Sequence, residues 1–265
     1  MEFSRYNIGW NGTSEFFSDL DRHRTIEIGN PEQLSGYHGN TTLLILAPHR
    51  HPTVEELGAY NAFLREGNTI FLTDDFGTGN EILKGINSRI SIRHENLSSL
   101  DRRYADIYSV IVYRSDEKST VPLPSQMALN GAGPVEGGTP VMLTSVMSWA
   151  DSNRDRRLNM NEEMGTIPVM AEETVGSGRL IVFSDPSIFT NTMYSQPENA
   201  DNRAFIGNLT AGEQPVLVDQ MNSLTAGAEG LSGIIHVIRK TVFIEVVILS
   251  LLMLCIAWAW KKKDR

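Results

Sequence analysis

Residues 43–80 read LLILAPHRHPTVEELGAYNAFLREGNTIFLTDDFGTGN, and this stretch decides the fold class. Leu43, Leu44, Ile45, Leu46 and Ala47 form an unbroken apolar run, the pattern of a parallel strand buried on both faces. Thr53 then stands where a helix N-cap belongs, with Glu56 three residues on as its capping-box partner. Leu57, Tyr60, Phe63 and Leu64 recur at helical spacing, and Gly67 closes the helix. Thr69, Ile70, Phe71, Leu72 and Thr73 make a second buried strand. Strand, helix and strand within about thirty residues is a βαβ unit, which places the chain in the α/β class.

Outward from this unit the signals are shorter. Residues 25–28 (TIEI) predict a strand, followed by a turn of helix opened by Pro31. The runs 110–113 (VIVY), 141–143 (VML), 168–171 (PVMA) and 180–183 (LIVF) predict strands of the second half. A turn over 172–179, containing Gly176 and Gly178, joins the last two. Residues 122–140 are rich in Gly and Pro and read as loop or hairpin. The expected organisation is one α/β domain over 1–228, a juxtamembrane helix over 229–240, a transmembrane helix over 241–260 and a basic tail over 261–265.

The span rests on TVFIEVVILSLLMLCIAWAW, twenty residues with Glu245 as their one charge. At ~1.5 Å per residue they reach ~30 Å, the thickness of a bilayer's hydrocarbon core. Trp258 and Trp260 stand at one end, where indole rings favour the headgroup layer. Lys261, Lys262 and Lys263 follow, so the positive-inside rule puts the tail in the cytoplasm and the large domain outside, although Arg239 and Lys240 flank the other end. An outside domain needs an export signal, which residues 1–12 do not resemble, so a start upstream of Met1 is expected.

The chain carries a formal net charge of −9, and four of its bases lie in the last five residues, so the remainder is more acidic still. Such a domain has no electrostatic footprint for nucleic acid. The single cysteine, Cys255, lies within 241–260, which leaves the soluble part without disulfide, thiolate metal ligand or thiol nucleophile. No G-x-S-x-G elbow occurs, and no residue is assigned a catalytic role.

In open α/β sheets, ligands sit beyond the carboxyl ends of the strands. Three polar groups fall there: His49 and His51, the run from Asp74 to Asn80, and Ser184 with Asp185. The expected ligand or partner face is Asp74, Asp75, Thr78, Asn80 and Asp185. His49, His51, Asp74 and Asp185 are also the donor types of a divalent metal site. Against this stands the ordinary use of strand-end polar residues as turns and helix caps. Gly77-Thr78-Gly79 lacks the Lys and the length of a phosphate loop and reads as a tight turn.

Residues 151–162 (DSNRDRRLNMNE) put Asp151, Asn153, Asp155, Arg157 (by its carbonyl), Asn159 and Glu162 at the ligand positions of a twelve-residue calcium loop. A structural calcium ion is therefore one expectation for this segment. Arg156 occupies the place of the turn-making Gly, and Arg154, Arg156 and Arg157 set three positive charges beside the cation. The alternative is a solvated Asx-rich connector.

Taken together, these residues resemble an archaeal family of membrane-anchored proteins of unknown function, with a soluble domain like that of class I glutamine amidotransferases. The likeness rests on Tyr6-Asn7 and GWNGTS at 9–14, DDFGTGN at 74–80, SWAD at 148–151, GSGR at 176–179, SDPSIFTN at 184–191, and Asp201-Asn202. It implies a flavodoxin- or amidotransferase-like sheet with flanking helices. Relatives usually carry an N-terminal hydrophobic segment before the motif at Tyr6, and Gly where Arg156 stands here. Amidotransferase activity is not implied, because that chemistry uses a Cys nucleophile with a His partner. Gene association with MoxR-type ATPases, von Willebrand-like and transglutaminase-like proteins implies a place in an envelope assembly. The leading expectation is thus a membrane-anchored, non-enzymatic binding or scaffolding domain with the bilayer and a membrane-protein complex as partners. A metal-dependent hydrolase using His49, His51, Asp74 and Asp185 is the alternative. A carbohydrate-binding envelope module presenting Tyr37 and Trp149 is a third reading.

Overall fold

A computed structural model describes residues 2–20, 25–102, 104–115, 118–211, 214–223 and 225–226, together with Ser250 and Met253. The first half holds helix α1 (Ser14–Leu20), strand β1 (Thr25–Ile28), a 3-10 turn at Pro31–Gly36, β2 (Thr42–Leu46), α2 (Val54–Arg65), β3 (Thr69–Thr73) and α3 (Gly79–Gly85). Short strands follow: β4 (Ser91–Ile92), β5 (Asn96–Ser99), β6 (Ile111–Arg114), β7 (Gln126–Ala128) and β8 (Val135–Glu136). Then come β9 (Thr139–Thr144), β10 (Ser148–Asp151), β11 (Pro168–Val175) and β12 (Gly178–Phe183). Helices α4 (Asn191–Ser195) and α5 (Ala200–Thr210) and strand β13 (Val216–Asp219) complete the described fold.

Nine strands form one sheet in the order β1-β13-β2-β3-β12-β11-β9-β6-β7. The half from β1 to β12 is parallel, with β2 and β3 registered from Thr42 opposite Thr69 to Leu46 opposite Thr73. The half from β12 to β7 is antiparallel. Strand β12 is the seam, parallel to β3 on one edge and antiparallel to β11 on the other. The α/β class is therefore as the βαβ reading has it, but the sheet is mixed.

The period-2 geometry of a strand sends successive side chains to opposite faces, and the core divides accordingly. Leu44, Leu46, Phe71, Ile181 and Phe183 join a cluster with Phe16, Phe17 and Phe205 from α1 and α5. Leu43, Ile45, Ile70, Leu72 and Val182 face the other way, onto Tyr60, Phe63 and Leu64 of α2 and Ile82 of α3. Burial on both faces is why these strands read as continuous apolar runs.

Helix α2 begins with the predicted box: Glu56 N–H donates to Thr53 Oγ1 at 3.3 Å, and Thr53 N–H donates to Glu56 Oε2 at 2.8 Å. It ends at Gly67, whose φ of +81° lies in the left-handed region that glycine adopts without strain. The following Asn68, fully buried, donates to the carbonyls of Tyr37 and Phe63 and accepts from Thr41 N–H. It ties the end of α2 to the starts of β2 and β3.

Two readings need correction. Residues 172–179 are not a turn: β11 and β12 run through them as a hairpin, and only Gly176 and Ser177 lie between the strands. The charged Glu172 and Glu173 are accommodated in β11 because donors meet them. Glu173 accepts from Ser88 Oγ (2.7 Å), Arg89 N–H (2.9 Å) and Arg89 Nε (2.8 Å). The loop-like stretch 122–140 carries β7 and β8, with β7 hydrogen-bonded to β6 at the edge of the sheet.

Among the described residues no helix is long and apolar enough to cross a membrane. The expected juxtamembrane helix and basic tail, and the span 241–260 apart from Ser250 and Met253, lie outside the described residues. Those two residues are helical.

Candidate functional site

The carboxyl ends of β2 and β3 border a cleft of ≈ 300 Å³. Phe3, Ala47, Pro48, His49, Asp74 and Asp75 are among its lining, with Glu2 and Thr225 at the same opening. The backbone folds here under constraint. Ala47 has φ +44° and Phe3 φ +54°, left-handed values that cost an L-residue with a Cβ. Ala47 is held there by its N–H to Thr73 O at 2.9 Å, and His49 N–H reaches Asn222 O at 3.1 Å.

Asp74 explains the DDFGTGN run. Its Oδ1 accepts from Gly77 N–H at 3.1 Å and its Oδ2 from Gly79 N–H at 2.7 Å, so the carboxylate caps the start of α3. A Cβ on Gly77 would stand 2.3 Å from Pro48 O, and one on Gly79 would stand 2.6 Å from Asp74 Oδ2. Both positions require glycine for this close approach. The tight-turn reading thus holds, and the protein's own carboxylate occupies the place a bound anion would take.

The other expected members of the face divide. Asp75 lines the cleft, its Oδ1 accepting from Phe76 N–H at 2.6 Å. Thr78 turns its hydroxyl to Arg50 O at 2.8 Å. Asn80 exchanges two hydrogen bonds with the backbone of Ile92, at 2.7 and 2.8 Å, and so anchors β4. Asp185 is fully buried; it accepts from Ser187 N–H at 2.9 Å and Asn130 N–H at 2.7 Å. The cleft therefore gathers Asp74 and Asp75, while Thr78, Asn80 and Asp185 shape its surroundings.

Asp219, fully buried, belongs to this row as well. It sits at the end of β13 and accepts from Tyr60 Oη (2.8 Å), Asn222 N–H (2.8 Å) and Ser223 N–H (2.9 Å). Burial dominates the electrostatics of the row. It pushes Asp74 and Asp185 up to about 7 despite their amide donors, and it raises Asp75 and Asp219 in the same direction. The neighbouring Asp75 charge adds to the rise of Asp74 and of Asp185.

The four proposed metal donors are not brought together. His49 and Asp74 share the cleft lining, but exposed His51 lies 2.7 Å from Glu81 and Asp185 is enclosed. Among the described residues no three His, Cys, Asp or Glu side chains gather as a metal ion requires. In the loop 151–162 the carboxylates meet the loop's own donors. Asp151 accepts from the N–H groups of Asp155 (3.1 Å) and Arg156 (2.9 Å) and from Tyr108 Oη (3.0 Å). Asn153 accepts from Asp155 N–H at 2.9 Å, and Asp155 accepts from Arg157 N–H at 2.9 Å and Asn159 Nδ2 at 3.0 Å. Glu162 accepts from Ser152 N–H (3.0 Å) and Asn159 N–H (2.9 Å). Trp149 is 3% exposed, which corrects its reading as a surface platform for sugars; Tyr37 is partly buried against the core.

Among solved structures, the chain is similar to the mmIFT52 N-terminal domain, with 14% identity and a TM-score of 0.54 over 77% of this chain and 92% of that one. It is also similar to the cytoplasmic protein STM1381 from Salmonella typhimurium LT2, at 12% identity and TM-score 0.41, over 75% and 86% of the two chains. A β-galactosidase from Bacillus circulans sp. alkalophilus matches at 10% identity and TM-score 0.35, over 63% of this chain and 23% of that enzyme. The chain shares with the first an α/β fold, here built on a mixed nine-stranded sheet with flanking helices. None of the curated proteins matches the chain in sequence. Residues 5–210, which run from the loop before α1 to the end of α5, match the family described as Domain of unknown function (DUF4350), and to that family the chain belongs.

Proposed function

We propose that this chain is a non-enzymatic binding domain, tethered to a bilayer by residues 241–260, whose partner face is the cleft at the ends of β2 and β3. The observation that carries this reading is the use of Asp74. Both its oxygens are spent on the amides of Gly77 and Gly79, so it builds the cleft wall and is not poised to react. The one cysteine of the chain, Cys255, is remote in sequence from this end of the sheet, so the thiol chemistry of amidotransferases has no nucleophile here.

The lining also selects a partner chemistry. Glu2 and Asp75 give the opening acceptors and negative charge, and Phe3, Leu46 and Pro48 give it apolar walls. That combination suits a cationic side chain with an aliphatic stem, a lysine or arginine of a partner protein. The envelope-assembly role implied by the family resemblance accords with such a partner. The positive charge of Lys261, Lys262 and Lys263 favours a cytoplasmic tail and an outward domain.

Titrating the full chain in detergent micelles with short lysine- and arginine-containing peptides tests the reading by calorimetry. Saturable binding is expected, weakened by salt and by Asp75→Asn. Binding indifferent to that substitution, or no binding to any such peptide, sinks it.

A further inference from the structure

The loop between Tyr6 and Ser14 carries no charged residue, and its two large apolar side chains are unburied: Ile8 is 89% exposed and Trp10 72%. Exposed apolar groups on mobile segments mean little, but this loop is tied down along its length. Asn191 Nδ2 donates to the carbonyls of Asn7 (3.1 Å) and Gly9 (2.7 Å), and Asn191 N–H donates to Gly12 O at 2.7 Å. Thr192 reaches Trp10 O with both its N–H (3.2 Å) and its hydroxyl (3.0 Å). Within the loop, Asn7 accepts from Gly9 N–H at 2.8 Å and donates to Asn11 Oδ1 at 3.0 Å. A Cβ on Gly12 would stand 1.8 Å from Asn7 O, so the turn is built around that glycine. The carbonyls of residues 7, 9, 10 and 12 are therefore bonded inward while Ile8 and Trp10 project outward. Such a loop can enter an apolar medium without stripping water from those carbonyls.

Its position names the medium. Arg5 N–H donates to Thr225 O at 2.8 Å, and Ala226 N–H donates to Gln220 Oε1 at 2.9 Å. The C-terminal part of the described domain is thus pinned three residues from Ile8. From Ala226 only fourteen residues separate the domain from the apolar run 241–260. Even fully extended they reach about 50 Å, and about 20 Å as a helix. The last described residues of the domain therefore lie beside the base of the loop, with the apolar run close behind them in sequence, and tryptophan is one of the side chains enriched at the membrane interface.

We propose that the Ile8–Trp10 loop is a bilayer-contact element, seated in the interface of the membrane that holds residues 241–260, an inference that rests on the tether reading above. The contact is apolar and selects no anionic lipid, since the chain is itself acidic. It also orients the domain. Phe3 and Thr225, which flank the loop's base, line the cleft, so the partner face lies on the membrane-proximal side. A partner that enters it is then another membrane-associated protein.

The test uses the full chain in phosphatidylcholine vesicles, with and without brominated acyl chains. The chain has four tryptophans, and the emission lost in Trp10→Phe isolates the one in the loop. That difference emission is expected to be blue-shifted and to be quenched several-fold more by bromolipid than by aqueous iodide. Ile8→Trp in the Trp10→Phe background moves the reporter two residues and is expected to give the same pattern. Retention of the chain in carbonate-washed vesicles with an iodide-accessible, bromolipid-insensitive Trp10 overturns the loop's role alone. Release of the chain by the wash overturns the tether, and this inference with it.

Discussion

Ala47 is the residue at which the cleft stores strain. It follows directly on the buried strand β2, and its φ of +44° is one that glycine adopts freely and alanine does not. Its N–H bond to Thr73 O fixes the turn, and Pro48 O behind it receives Thr78 N–H at 3.1 Å. Ala47→Gly should therefore raise stability by about 0.5–1 kcal/mol, the left-handed penalty less the extra entropy of an unfolded glycine. Urea denaturation of the full chain in micelles measures it. A loss of stability instead would show that the Ala47 methyl packs in the cleft wall by more than the strain costs. None of this was legible in the sequence, where Ala47 simply closes an apolar run. Thr53 with Glu56 and the glycines of 74–80 were legible, because capping boxes and close-approach glycines are local in sequence. Trp149 misled for the converse reason. Every residue of β10 is buried, and its strand partner β5 lies far back in the chain, where no local signal reports it.

At the scale of elements, the loop 151–162 separates pattern from geometry. Its backbone makes the left-handed turn that the calcium pattern calls for, with Arg156 at φ +65° in the glycine position and Arg154 at +61°. The guanidinium groups are drawn onto rings, Arg156 over Tyr108 at 5.0 Å and Arg154 over Phe76 at 5.1 Å. The acceptor oxygens are answered by loop amides, and gathering them about a cation means breaking several of those bonds beside positive charge. We expect millimolar calcium to leave the thermal midpoint of the chain unchanged. A saturable rise that Asp151→Ala abolishes would show that the loop reorganises around the ion. The same contrast governs which elements could be read at all. Strands β2, β3 and β12 announce themselves by buried apolar runs, whereas β13 offers only Val216, Leu217 and Val218 after Pro215. Its partners are β1 and β2, far back in the chain, and no local signal reports a pairing of that separation.

At the scale of the whole molecule, three buried aspartates, Asp74, Asp185 and Asp219, and the partly buried Asp75 at one end of the sheet set a pH dependence. Burial raises all of them, Asp74 and Asp185 to about 7, against an unfolded value near 4. The folded state then holds protons that the unfolded chain has released, so the stabilisation from Asp74 and Asp185 is complete below about pH 4 and is lost as pH rises through about 7, with Asp75 and Asp219 acting in the same direction. Each proton so held gives a slope of about 1.4 kcal/mol per pH unit. Glu56 and Glu173 act in the opposite sense. Burial disfavours their charge, but Thr53 and Arg50 for the first, and Arg89 and Ser88 for the second, hold them below the usual value. Their contribution is lost only in more acid solution. The chain should accordingly be most stable in mildly acid solution and weaken towards neutrality, read as urea midpoints at successive pH values from 5 to 8. Asp185→Asn removes one of the titrating groups. It also loses one of the two amide acceptors, at about 1–3 kcal/mol, so the variant starts lower. Its distinguishing mark is the flatter slope, which loss of a hydrogen bond alone does not produce. A wild-type profile already flat between pH 5 and 8 would mean that the amide donors outweigh burial and that the row is ionised throughout.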